Sequence, residues 1–110
     1  MAYVVEITAP AERDALEYHA FIRARSHDAI PADSWFKGLR QVIEELANFP
    51  ARCPRIPEQE AFAELMHQQL YESHLIIFEI TDDCVRVLRI YHSAASPLRT
   101  LKQRPARPKK

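Results

Sequence analysis

Glycine is almost missing from this chain: Gly38 is the one glycine in 110 residues. A loop that cradles phosphate with backbone N–H groups needs several, so nucleotide-binding motifs of that kind are excluded. Cysteine is scarce as well. Cys53 and Cys84 cannot build a disulfide framework, and the expectation is two reduced thiols in a cytosolic protein. Long apolar runs are absent, the longest aliphatic or aromatic stretch being residues 75–78, which rules out a helical bilayer span. Residues 1–3 lead straight into a strand pattern without the charged lead and apolar core of a secretory signal. A soluble, cytoplasmic protein of one domain is the expectation, large enough to bury roughly 65% of its unfolded surface.

Net charge is also zero, with fifteen Lys/Arg against fifteen Asp/Glu, but the two signs are segregated. Residues 99–110 hold Arg99, Lys102, Arg104, Arg107, Lys109 and Lys110 and no acid, which leaves the body six charges negative. A negative body is a poor electrostatic footprint for nucleic acid. The basic tail reads as a disordered, solvated end, with RNA or another acidic partner as its alternative use.

What is present is periodic. Residues 75–92 read as an antiparallel hairpin: Ile76, Phe78 and Ile80 share one face of the first arm, and Thr81, Asp82 and Asp83 form the turn. The second arm, 85–92, has apolar residues on both faces, as an interior strand does. Upstream, residues 3–7 form a strand, and Thr8, Pro10 and Glu12 announce a helix to about Arg25, with Ala11, Ala15, Tyr18 and Ile22 on its inner face. A second helix is expected from Pro31, with Trp35, Leu39, Val42, Leu46 and Phe49 at spacings of four and three. Pro50 ends it, and the short link at 26–30 makes the helices a hairpin. Residues 50–57 carry three prolines and are expected to be an extended connection outside regular structure, exposing Arg52 and Arg55. Residues 58–63 fit helix or loop, residues 65–71 fit a strand, and residues 98–103 fit one helical turn. The order is β-α-α-β-β-β, an α+β fold with a small, mostly antiparallel sheet.

With that order come particular residues: YVVEITAPA at 3–11, LANFP at 46–50, Tyr71 ahead of IIFEI at 76–80, VRVLRIYH at 85–92, and Pro97 with Leu98. Together they resemble the RelE/ParE superfamily of bacterial toxins, which includes plasmid stabilisation proteins, over residues 3–98; residues 99–110 are the tail. The resemblance implies a helical hairpin packed on one sheet face, the other face being open to a target or a wrapping antitoxin, with Leu75 and Ile77 as apolar contacts and Arg99 and Lys102 as basic ones.

The resemblance implies two mechanisms. RelE-like members cut messenger RNA on the ribosome, which takes cations around the phosphate and a proton-transfer group. ParE-like members bind DNA gyrase instead. Where nuclease members commonly carry arginines, this chain has Met66 or His67, and Leu75; after His92, where a basic pair often follows, it has Ser93, Ala94 and Ala95. Candidates for nuclease chemistry are His92, Tyr91, Arg89, Arg86, Arg52 and Arg55. Simple alternation places Arg86 with His92 and Arg89 with Tyr91 on opposite faces, so the four cannot all serve one site. The expectation is a ParE-like toxin neutralised by a cognate antitoxin. A RelE-like endoribonuclease and a non-toxic binding module are the alternatives. No cofactor is expected. His67 and His74, joined by Cys53, Cys84 or His92, are a remote metal possibility, since no usual ligand spacing is present.

Overall fold

The computed structural model describes residues 2–56 and 66–92. The expectations for residues 58–63, Leu65, the position at Ser93, Ala94 and Ala95, Arg99, Lys102 and the remaining tail lie outside the described residues. Among the described residues the strands and α-helices run in the order β1 (Val4–Ile7), α1 (Ala9–Ser26), α2 (Ala29–Glu45), β2 (Met66–Tyr71), β3 (His74–Ile80) and β4 (Cys84–His92).

Local chemistry explains the helix ends. Thr8 has extended backbone, and its Oγ1 accepts from Ala11 N–H while donating into the sheet at the carbonyls of Val87 and Leu88. One hydroxyl therefore caps α1 and ties it to β4. The helix stops at His27, which adopts a left-handed φ of 56°. Asp28 then caps α2 by accepting from Ile30 N–H at 2.9 Å. This start precedes the expected one at Pro31, because Asp28 supplies the cap and a proline in the first turn forfeits no helical hydrogen bond.

The sheet order is β1-β4-β3-β2, with β1 parallel to β4 and the other pairs antiparallel. The strand at 85–92 is therefore interior, as its two apolar faces require. Both helices cover one sheet face, where Ala11, Ala15, Trp35, Leu39 and Ile43 pack against Ile76, Phe78, Val85, Val87 and Ile90. Trp35, Leu39 and Ile43 are one α2 stripe at a spacing of four, and Gly38 beside them lets Tyr71 approach closely enough to donate from its hydroxyl to the Trp35 carbonyl at 3.0 Å.

Three expectations are corrected. Phe49 is not part of the α2 stripe: the helix ends at Glu45, and Phe49 stands 82% exposed in a left-handed conformation. The proline-rich connection is partly regular, since Pro50–Arg52 forms a 3-10 turn and Pro54 to Ile56 follow the outer edge of β2. Ile56 N–H donates to Met66 and Gln68 N–H to the Pro54 carbonyl; there proline only has to accept. Finally, the sheet face away from the helices is not open at Ile77, which is 0% exposed in a second cluster with Ile56, Met66, Leu88 and Tyr91. Leu75 at its margin is half-buried.

Candidate functional site

β4 carries four of the chemistry-bearing candidates, and a bulge decides where they go. Ile77 pairs with Arg89 but Phe78 pairs with Val87, so Leu88 is an extra residue. Past it the alternation is reset. Val87 and Ile90 both join the helix-side core, while Leu88 and Tyr91 join the second cluster. The expected grouping of Arg86 with His92 is overturned: Arg86 extends to Glu79 and Glu6, whereas His92 meets His74 beside the helices.

Both β4 arginines are held by acids. Arg86 donates to Glu6 at 3.3 Å and to Glu79, 2% exposed, at 3.1 Å. Hydrogen bonding to Glu6 leads the effects that push its pKa further up. Arg89 makes a two-pronged pair with Asp14, Nε to Oδ2 at 2.7 Å and Nη2 to Oδ1 at 2.9 Å, in half-buried surroundings. The hydrogen bonds it donates to Asp14 raise the Arg89 pKa, and burial opposes them. Asp14 Oδ2 also accepts from Ile90 N–H at 2.9 Å, beyond the point where β1 stops covering that edge of β4. These charges hold the sheet to α1 and to β1; they are committed to carboxylates rather than to an incoming phosphate.

His92 is exposed at the end of β4, its ring 5.3 Å from that of His74 and nearly perpendicular to it. His74 is 3% exposed, with Tyr18 at 4.1 Å and Trp35 at 5.3 Å between ring centres, and among the described residues its Nδ1 has no hydrogen-bond partner. Burial, and secondarily His92, lowers its pKa, a shift that favours the neutral imidazole. Beside the pair opens a cleft of about 370 Å³ bounded by Asp14, Glu17, Tyr18, Phe21, His74 and His92, and also by Tyr91. Among the described residues no arginine or lysine lines it. Asp14 in that wall is already matched by Arg89 and Glu17 adds a negative charge, so the cleft provides nothing to stabilise the developing charge of a phosphodiester.

The other two candidates lie elsewhere. Arg52 donates through Nη1 to the carbonyls of Asn48 and Phe49, and Arg55 bridges to His67 on the outer strand β2. His92 pairs with His74, which pairs with Tyr71, four residues along β2 from His67. Arg55 is thus separated from His92 by three strand spacings and by the length of β2. Nor do His67 and His74 meet: His67 Nδ1 lies 2.8 Å from the Cys53 carbonyl and its ring stacks on Phe78. Among the described residues no three His, Cys, Asp or Glu side chains gather as metal ligands.

Sequence reasoning missed Asp14 and Glu79, and it considered His74 with His92 only as members of a metal site. Asp14 lies 75 residues from Arg89, and periodicity carries no trace of that pairing; Glu79 faces Arg86 across the β3–β4 hairpin, seven residues away, where the hairpin pattern was the available signal.

A β-α-α-β-β-β chain with a helical hairpin on one face of a four-stranded sheet is the architecture of RelE/ParE-type toxins. Two solved assemblies share it. The chromosomal ParDE system of P. aeruginosa superposes with a TM-score of 0.68 at 12% identity, covering 83% of this chain and 96% of that one. The RelBE2 toxin–antitoxin complex of Mycobacterium tuberculosis gives a TM-score of 0.58 at 18% identity, covering 84% of this chain and 99% of that one. No individually curated protein sequence matches. Residues 5–97 match the ParE toxin of the type II toxin–antitoxin system parDE, and the chain belongs to that family. Among the described residues no helix is long and apolar enough to cross a membrane.

Proposed function

We propose that this toxin halts growth by binding a protein target, DNA gyrase being the one to test first, and that a cognate antitoxin neutralises it in the cytoplasm. The observation that carries this reading is the fate of the cations on β4. Arg86 is tied to Glu6 and Glu79, Arg89 is tied to Asp14, and the cleft holding His92 is walled by Asp14 and Glu17. Cleavage of RNA takes positive charge around the scissile phosphate, and this arrangement offers cations already matched by carboxylates, with Glu17 as a further acid in the cleft. Binding to a protein makes no such demand.

Expression under tight induction, alone and with the neighbouring reading frame, tests the reading. Growth arrest with an SOS response and trapped gyrase–DNA complexes, relieved by the neighbour's product, is the expected result. Arrest with cut transcripts instead assigns the chain to ribosome-dependent endoribonucleases. No arrest at all assigns it to non-toxic binding modules of the same fold.

A further inference from the structure

Phe49 is a bulky side chain in a conformation that bulky side chains avoid. Its φ is 52° and ψ 54°, and its ring is 82% exposed. Glycine or asparagine takes the left-handed region readily, while a bulky residue there is an outlier and the following proline disfavours helical backbone further. Neither burial of the ring nor backbone ease accounts for phenylalanine at this position.

The conformation is nevertheless braced. Arg52 Nη1 donates to the Asn48 carbonyl at 2.7 Å and to the Phe49 carbonyl at 3.0 Å, so one guanidinium pins the peptide planes on both sides of the Phe49 Cα. Arg52 N–H also bonds the Phe49 carbonyl, Cys53 N–H closes on Pro50, and Pro50 is buried. An exposed aromatic side chain on a strained backbone braced at both flanking peptides has the character of an interface anchor whose backbone ordering cost is met before binding.

Its surroundings specify what it fits. Beyond Arg52 lies a cleft of about 380 Å³ bounded by Arg52, Pro54, Gln68, Leu70 and Leu75, with Leu70 58% exposed at the part of the β2 edge that the 54–56 segment leaves uncovered. Residues 48–56 include Arg52 and Arg55 and no acid, on a body that is otherwise net negative. We propose that Phe49 and this adjoining cleft are the surface by which the chain grips its protein target. The target is a protein with an apolar pocket for the ring and carboxylates at the pocket rim to meet the two arginines. The inference rests on the protein-binding toxin reading and deepens it.

The test compares wild type with Phe49→Asn, Phe49→Tyr and Leu70→Ser in tight-induction growth assays, with thermal melts and co-purification with the antitoxin measured alongside. Wild type and Phe49→Tyr are expected to arrest growth. Phe49→Asn and Leu70→Ser are expected to lower killing at least tenfold while keeping the antitoxin, and Phe49→Asn to melt at or above the wild-type temperature because asparagine tolerates the backbone. Undiminished arrest by Phe49→Asn and Leu70→Ser overturns the anchor and leaves the toxin reading standing. Loss of the antitoxin complex, or a Phe49→Asn melt far below wild type, overturns it in favour of a structural or antitoxin-contact role. Transcript cleavage that depends on Phe49 overturns it in favour of RNA stacking. Absence of arrest by wild type overturns both the toxin reading and this inference.

Discussion

Asp14 on α1 and Arg89 on β4 are joined by two hydrogen bonds of 2.7 and 2.9 Å, and the same carboxylate receives the backbone N–H of Ile90. One side chain thus neutralises a half-buried guanidinium and satisfies a strand edge that β1 does not reach. Replacing Asp14 with alanine leaves both groups without that acceptor in a poorly hydrated place. Asp14→Ala is expected to destabilise the fold by about 3 kcal/mol, and Asp14→Ala with Arg89→Met to recover part of that loss. Urea unfolding of the single and double variants measures it.

His74 makes stability depend on pH. Its folded pKa lies below the ordinary value of 6.5, chiefly through burial and then through His92. The unfolded chain therefore binds this proton more readily than the native one. The stabilisation is complete above about pH 6.5 and is lost as pH falls from there toward the lowered native value. In a series of melts from pH 7.5 to about 5, the native protein should lose more stability than His74→Phe, which keeps an aromatic ring between Tyr18 and Trp35 and removes the titration.

Gly38 is held by contact rather than by backbone conformation. A Cβ there would collide with the Tyr71 hydroxyl, which donates to the Trp35 carbonyl. Alanine favours helix over glycine by about 1 kcal/mol, yet overpacking at this point costs about 1–3 kcal/mol. Gly38→Ala should therefore lower the melting temperature or leave it no higher. Gly38→Ala with Tyr71→Phe should be more stable than Gly38→Ala alone, because the clashing oxygen is gone.

His92 is exposed, and its cleft is walled by Asp14 and Glu17. His92→Ala should accordingly leave growth arrest within about twofold of wild type, since general acid–base catalysis is typically worth about 10²–10⁴-fold where it operates. Abolished toxicity in a variant with an unchanged melt and an intact antitoxin complex would count against the protein-binding mechanism.

The element order and the interior position of β4 were legible from the sequence, as were the helix-side residues Ala11, Ala15, Trp35 and Leu39. Each depends on relations a few residues long: a capping hydroxyl and the amide three positions on, apolar side chains at helical spacing, alternation along a strand. Such relations survive in any tertiary setting that buries one face. The scarcity of cations on β2 and β3 was also visible, because it depends only on which residue types occupy the strands.

Tertiary structure decided the rest. Leu88 is bulged because β3 and β4 pair with different registers on either side of it, and that single inserted residue sends His92 toward His74 and Arg86 toward Glu79. Asp14 meets Arg89, and Phe49 is turned into solvent by a guanidinium three residues away, through contacts that leave no periodic trace. Hydrophobic patterning specifies which faces are buried and is nearly indifferent to which charged group meets which. Those pairings are chosen by the packed backbone, and with them whether an arginine is spent on structure or left for a ligand.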